Sequence, residues 1–258
     1  MPARPQAEQV WRYHRPVSDL ARLEPVPEDW NRAMAVVAHP DDLEYGSASA
    51  VARWTAQGKQ VVYVLVTRGE AGIDGMDPDQ TGKARSEEER QSASVVGVTE
   101  VEFLDHRDGM IEYSLTLRRD IARAVRRHRP DVLISLNPHL TWGGSAWNSS
   151  DHRAVGRAAV DGARDAANRW VFPELLDEGL EPWSGARLVL FNGSPNPTHA
   201  VDVTKHIDKG IASLNCHKAY IAGLGGEFDV DAFLRSGAEF NGPRLGCELA
   251  VSFELVPL

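Results

Sequence analysis

Along this chain, short apolar segments and longer amphipathic segments follow one another in the way expected of an α/β protein. Short apolar runs, typical of strands buried on both faces, are separated by longer stretches with apolar residues at helical spacing. The runs predict strands over residues 34–38, 60–67, 100–104 and 131–136. The intervening stretches predict helices over residues 45–57, 83–96, 116–129 and 151–170. Strands that alternate with helices predict a mostly parallel sheet with helices on both faces.

The pattern weakens after residue 171, so the C-terminal third is expected to be irregular. Apolar runs there predict strands at residues 187–191, 200–203 and 247–255, and a helix at residues 204–221. We expect one domain over residues 1–258. Its parts are an N-terminal extension (residues 1–32) packed on the body through Trp11, Tyr13 and Trp30, a core (residues 33–170) and a C-terminal portion (residues 171–258).

Composition narrows the class of protein. The chain has 258 residues, 42% of them hydrophobic and 25% charged, and a formal net charge of −9. The negative charge argues against nucleic-acid partners and anionic membranes. There is no apolar run of membrane-spanning length and no visible secretory signal. Cys216 and Cys247 are too few for a disulfide framework, so we expect a cytoplasmic protein.

The candidate chemistry begins where the first predicted strand ends. Residues 39–42 read His-Pro-Asp-Asp, and ligands of open α/β sheets bind beyond the carboxyl ends of strands. His39 and Asp42 are residue types that bind zinc. His152, after the fourth predicted strand, is the best third ligand, which leaves a fourth position for water. The alternatives are a plain turn, a helix cap at Asp151 and a solvated His152.

These residues also carry a family resemblance. Ala38–Glu44 (AHPDDLE) resembles the first signature of the zinc-dependent LmbE/PIG-L de-N-acetylases. Further segments resemble that family in the same order: a TxGExG loop at residues 67–72, an RxxE helix at residues 85–97, an Asp-containing segment at residues 103–109, and Asp151-His152. The resemblance runs from residue 33 to about residue 170 and implies a Rossmann-like fold.

The resemblance also implies roles for individual residues. His39, Asp42 and His152 would hold Zn²⁺, which would polarise an amide carbonyl. Asp41 would be the general base that activates water and later returns the proton to the leaving amine. The alternative is that Asp41 only orients a ligand.

One position departs from the family pattern. A histidine often stands three residues before the last zinc ligand, and here that residue is Ser149. A hydroxyl donates a hydrogen bond but carries no imidazolium charge, so the residue that assists the oxyanion is left open among His139, Trp142 and Asn148. His217 falls where relatives often have a late histidine, and it either reaches the cleft or is an ordinary core or surface residue.

Other polar residues at strand ends are candidate substrate contacts. Arg68, Glu70, Arg85 and Asp108 match family positions that meet sugar hydroxyls or a charged aglycone. Arg85 would grip a phosphate or carboxylate, or it would form a salt bridge with a loop acid. Trp142 and Trp147 would stack on a sugar or a lipid-like face, or form a lid or a subunit contact.

The leading hypothesis is therefore a zinc hydrolase that removes an N-acetyl or related N-acyl group from a small amino-sugar conjugate. A thiol-conjugate amidase would use the same chemistry. A sugar- or nucleotide-binding protein without hydrolysis is the alternative from another class, although no GxGxxG or Walker pattern supports it. A catalytically weakened relative is a third hypothesis, motivated by Ser149. A homo-oligomer is compatible with the family.

Overall fold

The computed structural model describes residues 21–226 and 228–258. Its centre is an eight-stranded sheet with the order β1-β9-β10-β8-β5-β2-β3-β4. In chain order the strands are β1 (Glu24–Pro25), β2 (Arg32–Val37), β3 (Gln60–Leu65), β4 (Glu100–Phe103), β5 (Val132–Leu136), β6 (Thr141–Gly143), β7 (Ala146–Trp147), β8 (Leu188–Asn192), β9 (His199–Asp202) and β10 (Ala250–Pro257). Strands β6 and β7 form a separate hairpin.

The five strands from β4 to β8 in the sheet order are parallel to one another. Strand β10 is antiparallel to both of its neighbours, β8 and β9. The chain moves outward from β2 through β3 to β4, then returns to the other side of β2 at β5. Ligands of doubly wound sheets bind at such a switch point, because loops from the two sides diverge there and leave a crevice. The predicted α/β class is confirmed.

The helices in chain order are α1 (Ala48–Ala56), α2 (Pro78–Val95), α3 (Leu115–His128), α4 (Ser150–Ala167), α5 (Glu174–Asp177), α6 (Ile207–Leu214), α7 (Lys218–Gly223) and α8 (Val230–Leu245). Successive residues of β2 point to opposite faces of the sheet. Ala35 and Val37 pack under α1, α2, α6 and α8, whereas Met34 and Val36 pack under α3 and α4. Both faces are therefore covered, as predicted.

Three predicted boundaries of the core helices were wrong, among them the end of α4, which lies at Ala167 rather than at residue 170. Helix α2 begins at Pro78 rather than at residue 83, because the Asp77 side chain accepts a hydrogen bond from the Asp79 amide and Pro78 fits the first turn. Helix α1 begins at Ala48 rather than at residue 45. The segment between β5 and α4, for which no strand was predicted, contains the β6–β7 hairpin.

The C-terminal third differs most from the prediction. The helix predicted over residues 204–221 is two short helices, α6 and α7, separated by residues 215–217. Helix α8 was missed altogether, since Gly237, Gly242 and Pro243 weaken its helical signal. The last strand extends to Pro257 and begins at Ala250 rather than at residue 247.

The N-terminal segment is described only from residue 21. Trp11 and Tyr13, two of the three expected anchors, lie outside the described residues. Trp30 is buried and packs edge-on against Trp54 of α1, with ring centroids 5.3 Å apart. Among the described residues, none of the helices has the length and apolar character needed to cross a membrane.

Candidate metal centre

The candidate metal ligands lie at the carboxyl ends of β2 and β5, the two strands that flank the switch point. His39 and Asp42 follow the end of β2, and His152 stands in the first turn of α4, after β5 and the hairpin. Their side chains are largely buried, with 15%, 6% and 15% of each exposed. The topology thus brings residues more than a hundred positions apart into one crevice.

Three atoms of these side chains converge on one point. Asp42 Oδ1 lies 3.5 Å from His39 Nδ1 and 3.1 Å from His152 Nε2, and the two ring nitrogens are 3.3 Å apart. Ligand atoms bound to one zinc ion at tetrahedral angles are about 3.3–3.6 Å apart. The donor set of two nitrogens and one carboxylate oxygen also suits zinc.

The remaining atoms of two ligands are fixed by hydrogen bonds that leave the convergent atoms free. Asp42 Oδ2 accepts hydrogen bonds from the backbone amides of Ala38 and His39, both at 2.9 Å. His152 Nδ1 lies 3.0 Å from Asn148 Oδ1, which can only accept, so this nitrogen carries the proton. A lone pair therefore remains on His152 Nε2.

Carboxylates orient His39 in the same manner. Its Nε2 lies 3.1 Å from Asp108 Oδ1 and 3.3 Å from Asp151 Oδ2. A proton on Nε2 satisfies these oxygens and leaves Nδ1 as the metal-binding atom. Carboxylate partners of this kind fix the tautomer of a metal-bound histidine and increase its basicity.

The charges around His39 favour a cation at this point. Burial alone would lower the pKa of His39, yet the neighbouring carboxylates of Asp42, Asp108 and Asp151 raise this pKa well above its ordinary value. The pKa of Asp42 is held well below its usual range against the effect of burial, mainly by His152 and His39. The residues present therefore fit a divalent metal ion.

Asp41 is aimed differently from Asp42 because its backbone is unusual. Its φ of 94° lies in the region that side-chain-bearing residues rarely adopt. Asp41 Oδ1 is 3.2 Å from an Arg85 nitrogen, while Oδ2 is buried and, within the described part of the chain, has no hydrogen-bond partner of good geometry. Burial raises the pKa of Asp41 to about 6 and Asp42 adds to this rise, whereas Arg85 and the Tyr220 hydroxyl oppose it. An unpaired carboxylate oxygen of this pKa suits a proton acceptor.

Arg85 forms the salt bridge that the sequence offered as one alternative, but its partner is Asp41 rather than a loop acid. Its Nη1 donates a 2.9 Å hydrogen bond to the Gly69 carbonyl. The guanidinium stands 4.2 Å from the Tyr220 ring centroid. A Cβ at Gly69 or Gly72 would collide with it, which explains the two glycines of the TxGExG segment. Arg85 has only 2% of its surface exposed, so it is a buried support for the Asp41 carboxylate.

Of the other expected substrate contacts, Glu70 and Asp108 are engaged in contacts between loops, and Arg68 is exposed. Glu70 accepts hydrogen bonds from the amides of Asp108 and Arg68, so it braces the two loops. Asp108 faces His39 and also accepts from the Ala71 amide. The Arg68 side chain is 42% exposed, and its Nη2 lies 3.6 Å from Oδ1 of the exposed Asp105. Their contact with substrate stays a prediction.

The loop before α4 holds the candidates for oxyanion assistance. Ser149 caps α4, since its Oγ accepts a hydrogen bond from the Asp151 amide. Trp142 packs edge-on against His152, with ring centroids 5.6 Å apart. His139 Nε2 lies 2.7 Å from Glu254 Oε2. Asn148, as described above, holds His152.

His217 is fully buried and faces Glu44 and Glu89, in a cluster separate from the three convergent atoms. Sequence reasoning had given no role to Glu44 or Glu89. Asp151 was part of the resemblance and a possible helix cap, and no contact with His39 was predicted for it; its carboxylate lies 3.3 Å from His39 Nε2. Its position next to His152 in the sequence was the one available sign of a role in the site. The contact with His39 is visible only once α4 and the end of β2 are brought together.

Known proteins resemble the chain over most of its length. It is 27% identical over 237 residues to a diacetylchitobiose deacetylase of Thermococcus kodakarensis, which covers 89% of this chain and 84% of that protein. It is 31% identical over 193 residues to a 1D-myo-inositol 2-acetamido-2-deoxy-alpha-D-glucopyranoside deacetylase of Streptomyces avermitilis. That match covers 64% of this chain and 62% of the relative.

A solved structure and a family model extend the comparison. The N,N'-diacetylchitobiose deacetylase of Pyrococcus horikoshii shares the fold, with a TM-score of 0.80 at 24% identity, over 89% of this chain and 85% of that one. The family model of PIG-L, described as GlcNAc-PI de-N-acetylase, matches residues 34–163, half of the chain. The chain therefore belongs to the PIG-L family of de-N-acetylases.

Proposed function

We propose that the protein is a zinc-dependent hydrolase that removes an N-acetyl or related N-acyl group from a small amino-sugar conjugate. One observation carries the proposal: ligand atoms of His39, Asp42 and His152 converge on one point, and the residue next to Asp42 in the chain, Asp41, has a buried carboxylate oxygen. The curated relatives named above are deacetylases of N-acetylglucosamine-containing compounds. Family membership therefore supports the same reaction class.

In this proposal His39, Asp42 and His152 hold the zinc ion. When bound, zinc supplies a Lewis acid that polarises an amide carbonyl and makes water a better nucleophile near neutral pH. Asp108 and Asp151 keep Nδ1 of His39 free for the metal, and Asn148 keeps Nε2 of His152 free.

Asp41 carries the proton through the reaction. Its Oδ2 accepts a proton from the attacking water as the new carbon–oxygen bond forms. It returns that proton to the nitrogen as the carbon–nitrogen bond breaks, so the products are a free amine and a carboxylic acid. Arg85 holds Asp41 Oδ1 in place, which leaves Oδ2 as the oxygen that exchanges the proton.

Arg68, Asp105 and Trp142 supply the proposed contacts to the sugar. Arg68 and Asp105 form a long, exposed ion pair that costs little to open for substrate hydroxyl groups. Trp142, seated against His152, offers an aromatic wall for a sugar ring. The low cysteine content suits the proposed cytoplasmic location.

A screen for amine release tests the proposal. Zinc-loaded protein is incubated with N,N'-diacetylchitobiose, N-acetylglucosaminyl-inositol and other N-acetylglucosamine conjugates, and the new primary amine is quantified. We expect turnover of at least one conjugate and loss of that turnover after chelation. Matched sugars that carry only O-acetyl esters control for general acyl hydrolysis. A zinc-loaded, folded protein that releases amine from none of the conjugates contradicts the proposal.

A further inference from the structure

A second cluster of side chains of metal-binding type contacts the backbone of Asp41. Glu44 belongs to the turn after β2, Glu89 to α2, and His217 immediately precedes α7. Each of these residues has 1% or less of its surface exposed. The cluster shares no residue with the convergent set of His39, Asp42 and His152.

The atoms of this cluster are spaced as ligands rather than as hydrogen-bond partners. His217 Nε2 lies 3.7 Å from Glu44 Oε2 and 3.7 Å from Glu89 Oε2. Those separations exceed hydrogen-bond length. They are close to the spacing of atoms that share one metal ion, which is about 3.3–3.6 Å for zinc and slightly more for wider angles. Ligand atoms of the three residues lie within 4.8 Å of one another.

Polar atoms in the cluster also lack partners among the described residues. Both ring nitrogens of His217, Oε2 of Glu44 and Oε1 of Glu89 are buried without a hydrogen bond. A buried polar atom left unpaired costs about 1–3 kcal/mol. The hydroxyl of Tyr63, whose pKa the two glutamates help to raise, is likewise buried and unpaired. A bound ion would satisfy several of these groups at one point.

One oxygen of each glutamate is held in place by a hydrogen bond. Glu44 Oε1 accepts a 2.6 Å hydrogen bond from Ser92 Oγ, which leaves Oε2 facing His217. Glu89 Oε2, the oxygen that lies 3.7 Å from His217 Nε2, also accepts from the Asp41 amide at 3.2 Å. These bonds fix both carboxylates beside His217, and the second ties the cluster to the backbone of Asp41.

Two buried carboxylates make the cluster suited to a cation. Two carboxylates buried side by side must be protonated or neutralised by positive charge. A divalent ion would balance both charges and use the lone pair of a neutral imidazole. Burial favours that neutral imidazole, because it lowers the pKa of His217 to about 3.

We infer that Glu44, Glu89 and His217 form a second divalent-cation site, of the class that binds zinc. The ion joins the β2–α1 turn, α2 and the start of α7. Through Glu89 it fixes the strained backbone of Asp41. Since its ligands are almost fully buried, this ion exchanges far more slowly than one held by the partly exposed His39 and His152.

Metal counting tests the inference without reference to catalysis. Each protein is refolded with excess zinc, freed of unbound metal, and analysed for zinc per chain before and during chelation. The wild-type chain should hold about two ions, one lost quickly and one slowly. The double variant H39A/H152A should keep about one ion, the slow one. Wild-type protein with one ion per chain and a double variant with none would overturn the second site.

Glutamine substitutions identify the ligands. The paired variant E44Q/E89Q should hold about one ion and lose the slow phase of zinc release. E87Q changes an exposed glutamate on the same helix, whose side chain accepts a hydrogen bond from Gln91 and lies outside the cluster, and it should retain both ions. Circular dichroism checks folding in each case. If E44Q/E89Q does not fold, the metal content of H39A/H152A still decides, because that protein leaves the cluster intact. Retention of the slow ion by folded E44Q/E89Q would contradict the ligand assignment.

Discussion

At the scale of the residue, two adjacent aspartates have different roles because their backbones differ. Asp42 turns back to accept from the amides of Ala38 and His39, while Asp41, at a φ of 94°, points to Arg85. A residue held in such a region costs about 1–3 kcal/mol, which the surrounding contacts must offset. The strained backbone thus aims the proposed ligand, Asp42, and the proposed base, Asp41, in different directions.

The carboxylate of Asp151 should matter for metal affinity although it is not a ligand. In D151N the amide no longer fixes the proton on His39 Nε2 as a carboxylate does. We expect zinc affinity of the first site to fall about 10- to 100-fold. Competition with a chromophoric chelator measures the change.

A second aspartate of α4 provides the control. Asp165 forms a bidentate ion pair with Arg118, and neither residue belongs to the metal centre. D165N should leave zinc affinity unchanged. Equal affinities for wild type and D151N would show that Asp151 does not orient His39.

The sequence predicted the convergent residues but not their supports. His39, Asp42 and His152 were identifiable because a motif and a strand end coincide at each. The contacts of His39 with Asp108 and Asp151 depend on loops that meet only in the folded chain. Arg85 was placed in the site, but only packing of α2 against the TxGExG loop shows that it supports Asp41.

At the scale of the element, the start of α4 positions His152. Ser149 caps this helix, so S149A should lower the free energy of unfolding by about 1 kcal/mol. S149D, which can also accept from the Asp151 amide, should recover most of that loss. Urea unfolding measures both. If S149A instead abolishes turnover at unchanged stability, Ser149 acts on the substrate rather than as a cap.

The link between β4 and α3 predicts a pH dependence of stability. The pKa of Glu102 is lowered, chiefly by its 2.8 Å hydrogen bond with His128 and then by Arg127, while burial opposes the shift. Because the folded pKa lies below the unfolded value, this stabilisation is present above the unfolded pKa. It is lost as the pH falls through the folded pKa.

The E102Q variant isolates this contribution. At about pH 7 it should be less stable than wild type by roughly 1 kcal/mol or less, and the difference should shrink toward about pH 3. Urea titrations at several pH values measure it. E100Q, in which a 60% exposed glutamate of the same strand is changed, should show a smaller pH-dependent difference. A difference for E102Q that grows at low pH would contradict the assignment.

Elements with strong periodicity were predictable, and those set by tertiary contacts were not. Strands β2, β3 and β5 follow from largely apolar runs, whereas β4 alternates glutamates with Val101 and Phe103. The break between α6 and α7 does not, because it coincides with burial of His217 rather than with a proline or glycine. Helix α8 contains glycines and a proline, and it is stabilised by packing on β9 and β10 rather than by intrinsic propensity.

At the scale of the whole molecule, the sheet places the candidate metal centre where its two halves diverge. Zinc bound there would join the ends of β2 and α4, so the native state would gain stability that the unfolded chain lacks. Removing the ion with a brief chelator treatment should lower Tm by roughly 5–10 °C, if zinc had been near 100 times its Kd. Differential scanning calorimetry measures this. D42N should show little change on the same treatment, and an equal shift in D42N would point to another source.

The most direct test of the central claim compares wild type with D41N in one amine-release assay, with zinc measured in the same samples. Asparagine tolerates a positive φ and keeps the size of the side chain, but it cannot accept the proton. We predict that D41N retains its zinc and that its turnover falls by about 10²- to 10⁴-fold. A zinc-loaded, folded D41N whose turnover stays within a few-fold of wild type would contradict the assignment of Asp41 as the base.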